Sequence, residues 1–143
     1  MKQRNDNLLR KAMVRSTIWM LIPLDKQSEA LDILGYVSAQ VRYEPGCISS
    51  RLYRGVDDMR AIMVEELWTD NEGLLRHLQS DEYRRVLLVI EMAEAPPDIR
   101  FIEISHTSGL ETIENALKKS AKSNIQNSVI NTHDSNPKRR IAG

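Results

Sequence analysis

A carboxylate, an indole, an imidazole and a phenol fall close together in this chain: Glu66 and Trp68 end one segment, His77 follows nine residues later and Tyr83 six residues after that. An imidazole titrates near working pH, so His77 is the natural candidate for a base. An indole brings a large apolar plate that can wall a pocket and an N–H that donates, and the hydroxyls of Tyr53 and Tyr83 can donate or accept at a rim. Arg51 or Arg84 can offset negative charge on a bound molecule, and Glu66 can hold a donor. Each residue also has a plainer structural role open to it. His77 stands between Arg76 and Leu78 and can simply pack, Trp68 can seal a core from a strand end, and Glu66 can pair with a strand neighbour. Cys47 has no basic partner within sequence reach, which suits an inert packing thiol. His106 and His133 lie too far from other ligand types to suggest a metal site.

Positioning these residues falls to a strand, helix, strand, strand, helix, strand succession from Val14 to about Ser108. Val14 to Ile22 is rich in residues that suit a pleated sheet, and its nearly continuous apolar run predicts a strand covered on both faces. Pro23 closes it. A helix is expected from about Lys26 to Tyr43, with Asp25 as its cap and Ala30, Leu34, Val37 and Val41 at helical spacing. Glu44-Pro45-Gly46 stops that helix. Cys47 to Arg54 and Ala61 to Trp68 form a hairpin across the turn-prone Gly55 to Asp58. Thr69 to Glu72 has capping-box spacing and starts a helix; Ser80-Asp81-Glu82 restarts it before Tyr83 to Met92. Ile99 to Ser105 alternates and is the fourth strand.

This βαββαβ order predicts an α+β, ferredoxin-like protomer with a four-stranded antiparallel sheet. The two-residue period puts Ile62, Val64, Glu66 and Trp68 on one face of the third strand and Ala61, Met63, Glu65 and Leu67 on the other. Both faces carry apolar residues with an occasional charge, so helices should cover one and a partner the other. Arg51, Glu65 or Glu66, Arg100 and Glu103 would then need mutual pairing, because an isolated buried ion is costly. A homodimer with facing sheets supplies both cover and pairs.

The domain division that follows is an N-terminal arm over residues 1–13, the ferredoxin-like domain over 14–108 and a C-terminal segment over 109–143. That last segment should hold a helix from Leu110 to Ser123, then a disordered tail of about twenty residues whose Lys138-Arg139-Arg140 run is solvated. A length of 143 residues fits one domain with such a tail. Twenty basic and twenty acidic residues cancel, so the charge balance points to neither a nucleic-acid nor a membrane partner. The apolar stretch Thr17 to Leu24 is too short for a bilayer span and leads into charge rather than a cleavage site. With a single cysteine, the reading is a cytoplasmic protein.

Glu44-Pro45-Gly46-Cys47 entering a strand, then Glu66-x-Trp68, His77-Leu78 and Ser80-Asp81-x-Tyr83, together resemble the antibiotic biosynthesis monooxygenase family of the dimeric α/β barrel superfamily. The likeness covers about Val14 to Ser105. It implies a tight homodimer and, as in characterised members, oxygenation of polycyclic phenols or quinols by molecular oxygen with no metal or flavin cofactor. Such chemistry asks for a base that turns the phenol into an anion able to pass an electron to dioxygen, and for donors that stabilise the anion in an apolar pocket. Carried over to this chain, His77 and Trp68 are the catalytic candidates, and Tyr53, Arg51, Glu66 and Tyr83 the candidates for holding a small aromatic substrate. Val64 stands where some phenol oxygenases have asparagine, Tyr83 where many relatives have a second histidine, and Ser16 and Thr17 where the haem-degrading branch has asparagine. The rival expectations are a non-catalytic dimeric module that binds a ligand or acts in stress, and a haem-binding or haem-degrading protein.

Overall fold

Alternation decides the first strand. Along β1 (Met13–Leu21) burial switches residue by residue, with Val14, Ser16, Ile18 and Met20 turned into the core and Arg15 and Trp19 left exposed. The computed structural model describes residues 11–133; most of the N-terminal arm and the Lys138-Arg139-Arg140 run lie outside the described residues. β2 (Cys47–Arg54) and β3 (Ala61–Trp68) form the expected hairpin, and β4 (Asp98–Ile104) completes a four-stranded antiparallel sheet in the order β2-β3-β1-β4. Among the described residues one face of β1 is covered, and Trp19 on the other, the face expected to meet a partner, is 45% exposed.

Register follows from the same alternation. Val14, Ser16, Ile18 and Met20 face Trp68, Glu66, Val64 and Ile62 across the β1–β3 ladder, so the inner sides of both central strands make one surface. Helices α1 (Gln27–Val41), α2 (Asn71–Leu78) and α3 (Asp81–Glu91) supply the cover. Ala30, Leu34, Val37 and Val41 of α1 are buried at the anticipated spacing, and Leu74, Val86 and Val89 join them in one apolar cluster. Of the charges expected to need burial, Arg51, Arg100 and Glu103 are exposed and Glu65 is half-buried; Glu66 is buried.

Helix starts differ in detail from the sequence reading. A 3-10 turn, Leu24–Lys26, takes up Asp25, and α1 begins without a side-chain cap. Asp70, not Thr69, caps α2 by accepting from Gly73 N at 2.9 Å. The reason is that Thr69 N donates to Gly46 O at 2.8 Å, which ties that residue to the turn after α1. Ser80 caps α3 as expected, accepting from Tyr83 N at 3.2 Å.

Chain contacts divide the protein into two units, Met1–Ser105 and His106–Gly143. The second holds α4 (Leu110–His133), which continues well past the Ser123 end expected for it and into the tail read as disordered. Asn and Ser are weak helix formers, but no glycine or proline interrupts this stretch. No helix among the described residues is long and apolar enough to cross a membrane.

Candidate functional site

Four elements meet around His77. The inner side of β3 presents Glu66 and Trp68, α2 presents His77, the turn after α1 presents Glu44 and the first turn of α3 presents Tyr83. Two glycines let these elements approach. Gly46 has φ of 87°, and a Cβ there would lie 3.2 Å from Thr69 Oγ1. A Cβ on Gly73 would lie 3.1 Å from the Trp68 ring and 3.2 Å from Pro45 O. A larger residue at either place would push the Glu44 turn away from α2.

His77 is 1% exposed. Its Nε2 lies 3.1 Å from Glu66 Oε2 and its Nδ1 3.4 Å from Glu44 Oε2. Each ring nitrogen therefore faces a carboxylate oxygen at ion-pair distance, the Glu66 contact being the shorter. The Trp68 ring stacks on the imidazole at 5.1 Å and the Tyr83 ring meets it edge-on at 5.3 Å. Trp68 is fully buried, and its Nε1 has no hydrogen-bond partner among the described residues.

Electrostatics follow from this enclosure. Burial by itself pushes the His77 pKa down, but the Glu66 carboxylate and, beyond it, that of Glu44 outweigh burial and leave the imidazole above its ordinary value. Burial, then the Glu66 charge, pushes the Tyr83 phenol up. Burial, then Glu66 and Glu44, pushes the Cys47 thiol up to about 11, which agrees with an inert thiol. Glu44 keeps 27% of its side chain exposed while Glu66 keeps 7%, so Glu44 is the member of the group that reaches water. Among the described residues no group of three or more His, Cys, Asp or Glu side chains is arranged to hold a metal ion.

Of the six site residues named from sequence, Glu66, Trp68, His77 and Tyr83 come together. Arg51 and Tyr53 do not: they pair in register with Glu65 and Met63 on the outer face, where the Tyr53 hydroxyl donates to Glu65 Oε1 at 3.4 Å. Arg84 is exposed on α3 beside Asp81. A depression of about 200 Å³ lined by Trp19, Tyr53 and Met63 lies on that outer face, away from the chemistry around His77. Glu44 is the residue that sequence reasoning missed. It was visible as the first residue of a helix stop and of the Glu44-Pro45-Gly46-Cys47 run, and nothing in its spacing told that the turn would fold back against α2.

A ferredoxin-like sheet under three helices, with a histidine held between carboxylates beneath a tryptophan, defines a small α+β protein whose buried polar cluster lies between sheet and helices. The family model described as antibiotic biosynthesis monooxygenase matches residues 13–87, just over half of the chain, and the chain belongs to that family. Among solved structures it is similar to Rv0793 from Mycobacterium tuberculosis, at 20% identity and a TM-score of 0.62 over 68% of this chain and 100% of that one. A conserved protein from Methanosarcina mazei Go1 matches at 18% identity and 0.61 over 68% and 97%. A candidate antibiotic biosynthesis monooxygenase from Caulobacter crescentus matches at 20% identity and 0.62 over 72% and 99%. At such identities these likenesses establish the fold alone. No curated protein matches the sequence.

Proposed function

We propose that this protein is a monooxygenase that oxidises a small phenol or quinol with molecular oxygen and no cofactor, using His77 as the base. The observation that carries the proposal is the buried indole of Trp68, stacked on His77 and with no acceptor for its Nε1 among the described residues. Unsatisfied buried donors are rare and call for a reason; the oxygen of a bound phenolate would supply the missing acceptor for the indole. Neutral His77 takes the phenolic proton at Nδ1 once the partly exposed Glu44 carboxylate swings aside, Glu66 at Nε2 stabilises the imidazolium that results, and the substrate anion passes an electron to dioxygen. The substrate supplies all four electrons: its ring carbon gains one oxygen atom, and the two hydrogens that the substrate loses leave with the other oxygen as water, giving a quinone-level product.

Entry requires movement, since His77 and Trp68 are closed over by their neighbours. The half-buried Leu78 and Tyr83 at the junction of α2 and α3 are the side chains that would part. The functional assembly is a homodimer in which two copies bring their outer sheet faces together, covering Trp19, Tyr53 and Ile102, each at least 40% exposed in the single chain.

Oxygen uptake by the pure protein with a panel of quinols and anthrones tests the reaction. Turnover should fall at least ~100-fold in His77→Ala and should rise with pH as His77 loses its proton. Turnover unchanged in His77→Ala would remove the base from the mechanism. The closed packing around His77 also favours a second reading, a non-catalytic module, which predicts no oxygen uptake with any member of the panel.

A further inference from the structure

The C-terminal helix α4 carries an apolar stripe that the shared fold does not account for. Solved relatives are matched over 97–100% of their own length by 68–72% of this chain, and the family match ends at residue 87, before α4 begins. Leu110, Ile113, Leu117 and Ile125 of α4 are each more than half exposed, and three- and four-residue steps set them, with Ala121, along one side of the helix. Asn and Ser through its second half lower its own propensity, and helices in proteins take most of their stability from packing an apolar side.

Charge says what fits there. Glu111, Glu114, Lys118 and Lys122 all fall on the same flank of the stripe at helical spacing, acids first and bases after. When two identical helices pack antiparallel, like flanks meet and run in opposite directions, so the acids of each lie against the bases of the other. In a parallel pair opposite flanks meet, and the charged flank would face Thr112, Ala116 and Ser120, which carry no charge.

We infer that α4 pairs antiparallel with α4 of a second copy of this chain, crossing near Leu117. Leu117 then packs on Leu117 of the second copy, and Ile113 fills the space over its Ala121, a large residue against a small one. Glu114 reaches Lys118 of the second copy and Glu111 reaches its Lys122. Glu111 already accepts from Gly109 N at 2.7 Å through Oε1, which leaves Oε2 for the lysine. This contact is separate from any pairing of the sheets.

Disulfide trapping in the full chain tests direction and register together. On a Cys47→Ser background, chains carrying Ile113→Cys and Ala121→Cys are oxidised separately and as a mixture at micromolar concentration. Antiparallel pairing predicts a disulfide that joins one chain of each kind, formed at least ~10-fold faster in the mixture than in either chain alone. Equal trapping of each chain with itself, as a parallel pair would give, or no trapping at all overturns the inference. All the substituted α4 positions are exposed, so the rest of the fold is undisturbed. A charge exchange provides the second test. Glu111→Lys with Glu114→Lys in one chain, and Lys118→Glu with Lys122→Glu in the other, should each suppress trapping through repulsion, and mixing one of each should restore it. Trapping unaffected by these changes would equally overturn the charge-paired register.

Discussion

The His77 imidazole binds a proton more tightly in the folded chain than in the unfolded one, because Glu66 and Glu44 outweigh the burial that opposes charge. A group raised in the folded state contributes stability that is fully present below its unfolded pKa of about 6.5 and disappears as pH rises through the folded value. Urea midpoints should therefore decline from about pH 6.5 upward, and His77→Gln should flatten that part of the curve; parallel curves would mean that the carboxylates do not govern the titration. Glu66→Gln leaves burial in place and takes away the nearer carboxylate, so the His77 proton resonance should titrate at lower pH than in the parent. Cys47, pushed up to about 11, should react with a disulfide reagent at pH 8 on the order of tenfold to a hundredfold more slowly than in urea; equal rates would show the thiol to be open. At this scale the sequence was informative about residue type and less so about direction. Glu66, Trp68, His77 and Tyr83 converge, whereas Arg51 and Tyr53 alternate onto the outer face, and Glu44 enters from a turn whose path only tertiary packing determines.

The turn after α1, the start of α2 and the Trp68 ring are packed against one another through Gly46 and Gly73. Gly73→Ala should cost about 1–3 kcal/mol despite the better helix propensity of alanine, because the new methyl meets Trp68 and Pro45 O at close range. A thermal shift in the stabilising direction would contradict that account. Ser80→Ala removes a cap and should cost about 1 kcal/mol. Most of the elements could be read from period and punctuation. The alternation of β3 and the four-residue steps of α1 were legible because one face of each is buried, and burial is what imposes a period. Boundaries were less so: Thr69 and Asp70 are both good caps, and the choice between them rests on Thr69 N being taken by Gly46 O, a contact distant in sequence. The reach of α4 past Ser123 was hidden because Asn and Ser lower helix propensity without ending a helix.

For the molecule as a whole, the outer sheet face is the feature that local pattern could signal but not resolve. Mixed apolar and charged residues announced cover on both sides; among the described residues one side has it. The homodimer proposed through that face predicts that Trp19→Glu lowers the mass measured by light scattering in dilute solution, with the far-ultraviolet spectrum unchanged. An unchanged mass would leave sheet pairing without support. Sheet order adds an outcome in time. Among the described residues β4 is hydrogen-bonded to β1 alone, and nearly all its residues are exposed, so it has few apolar contacts to hold it when the ladder breathes. Amide protons donated by β4 to β1 should exchange with deuterium well before those shared by β1 and β3, fraying the sheet from this margin while its centre stays protected.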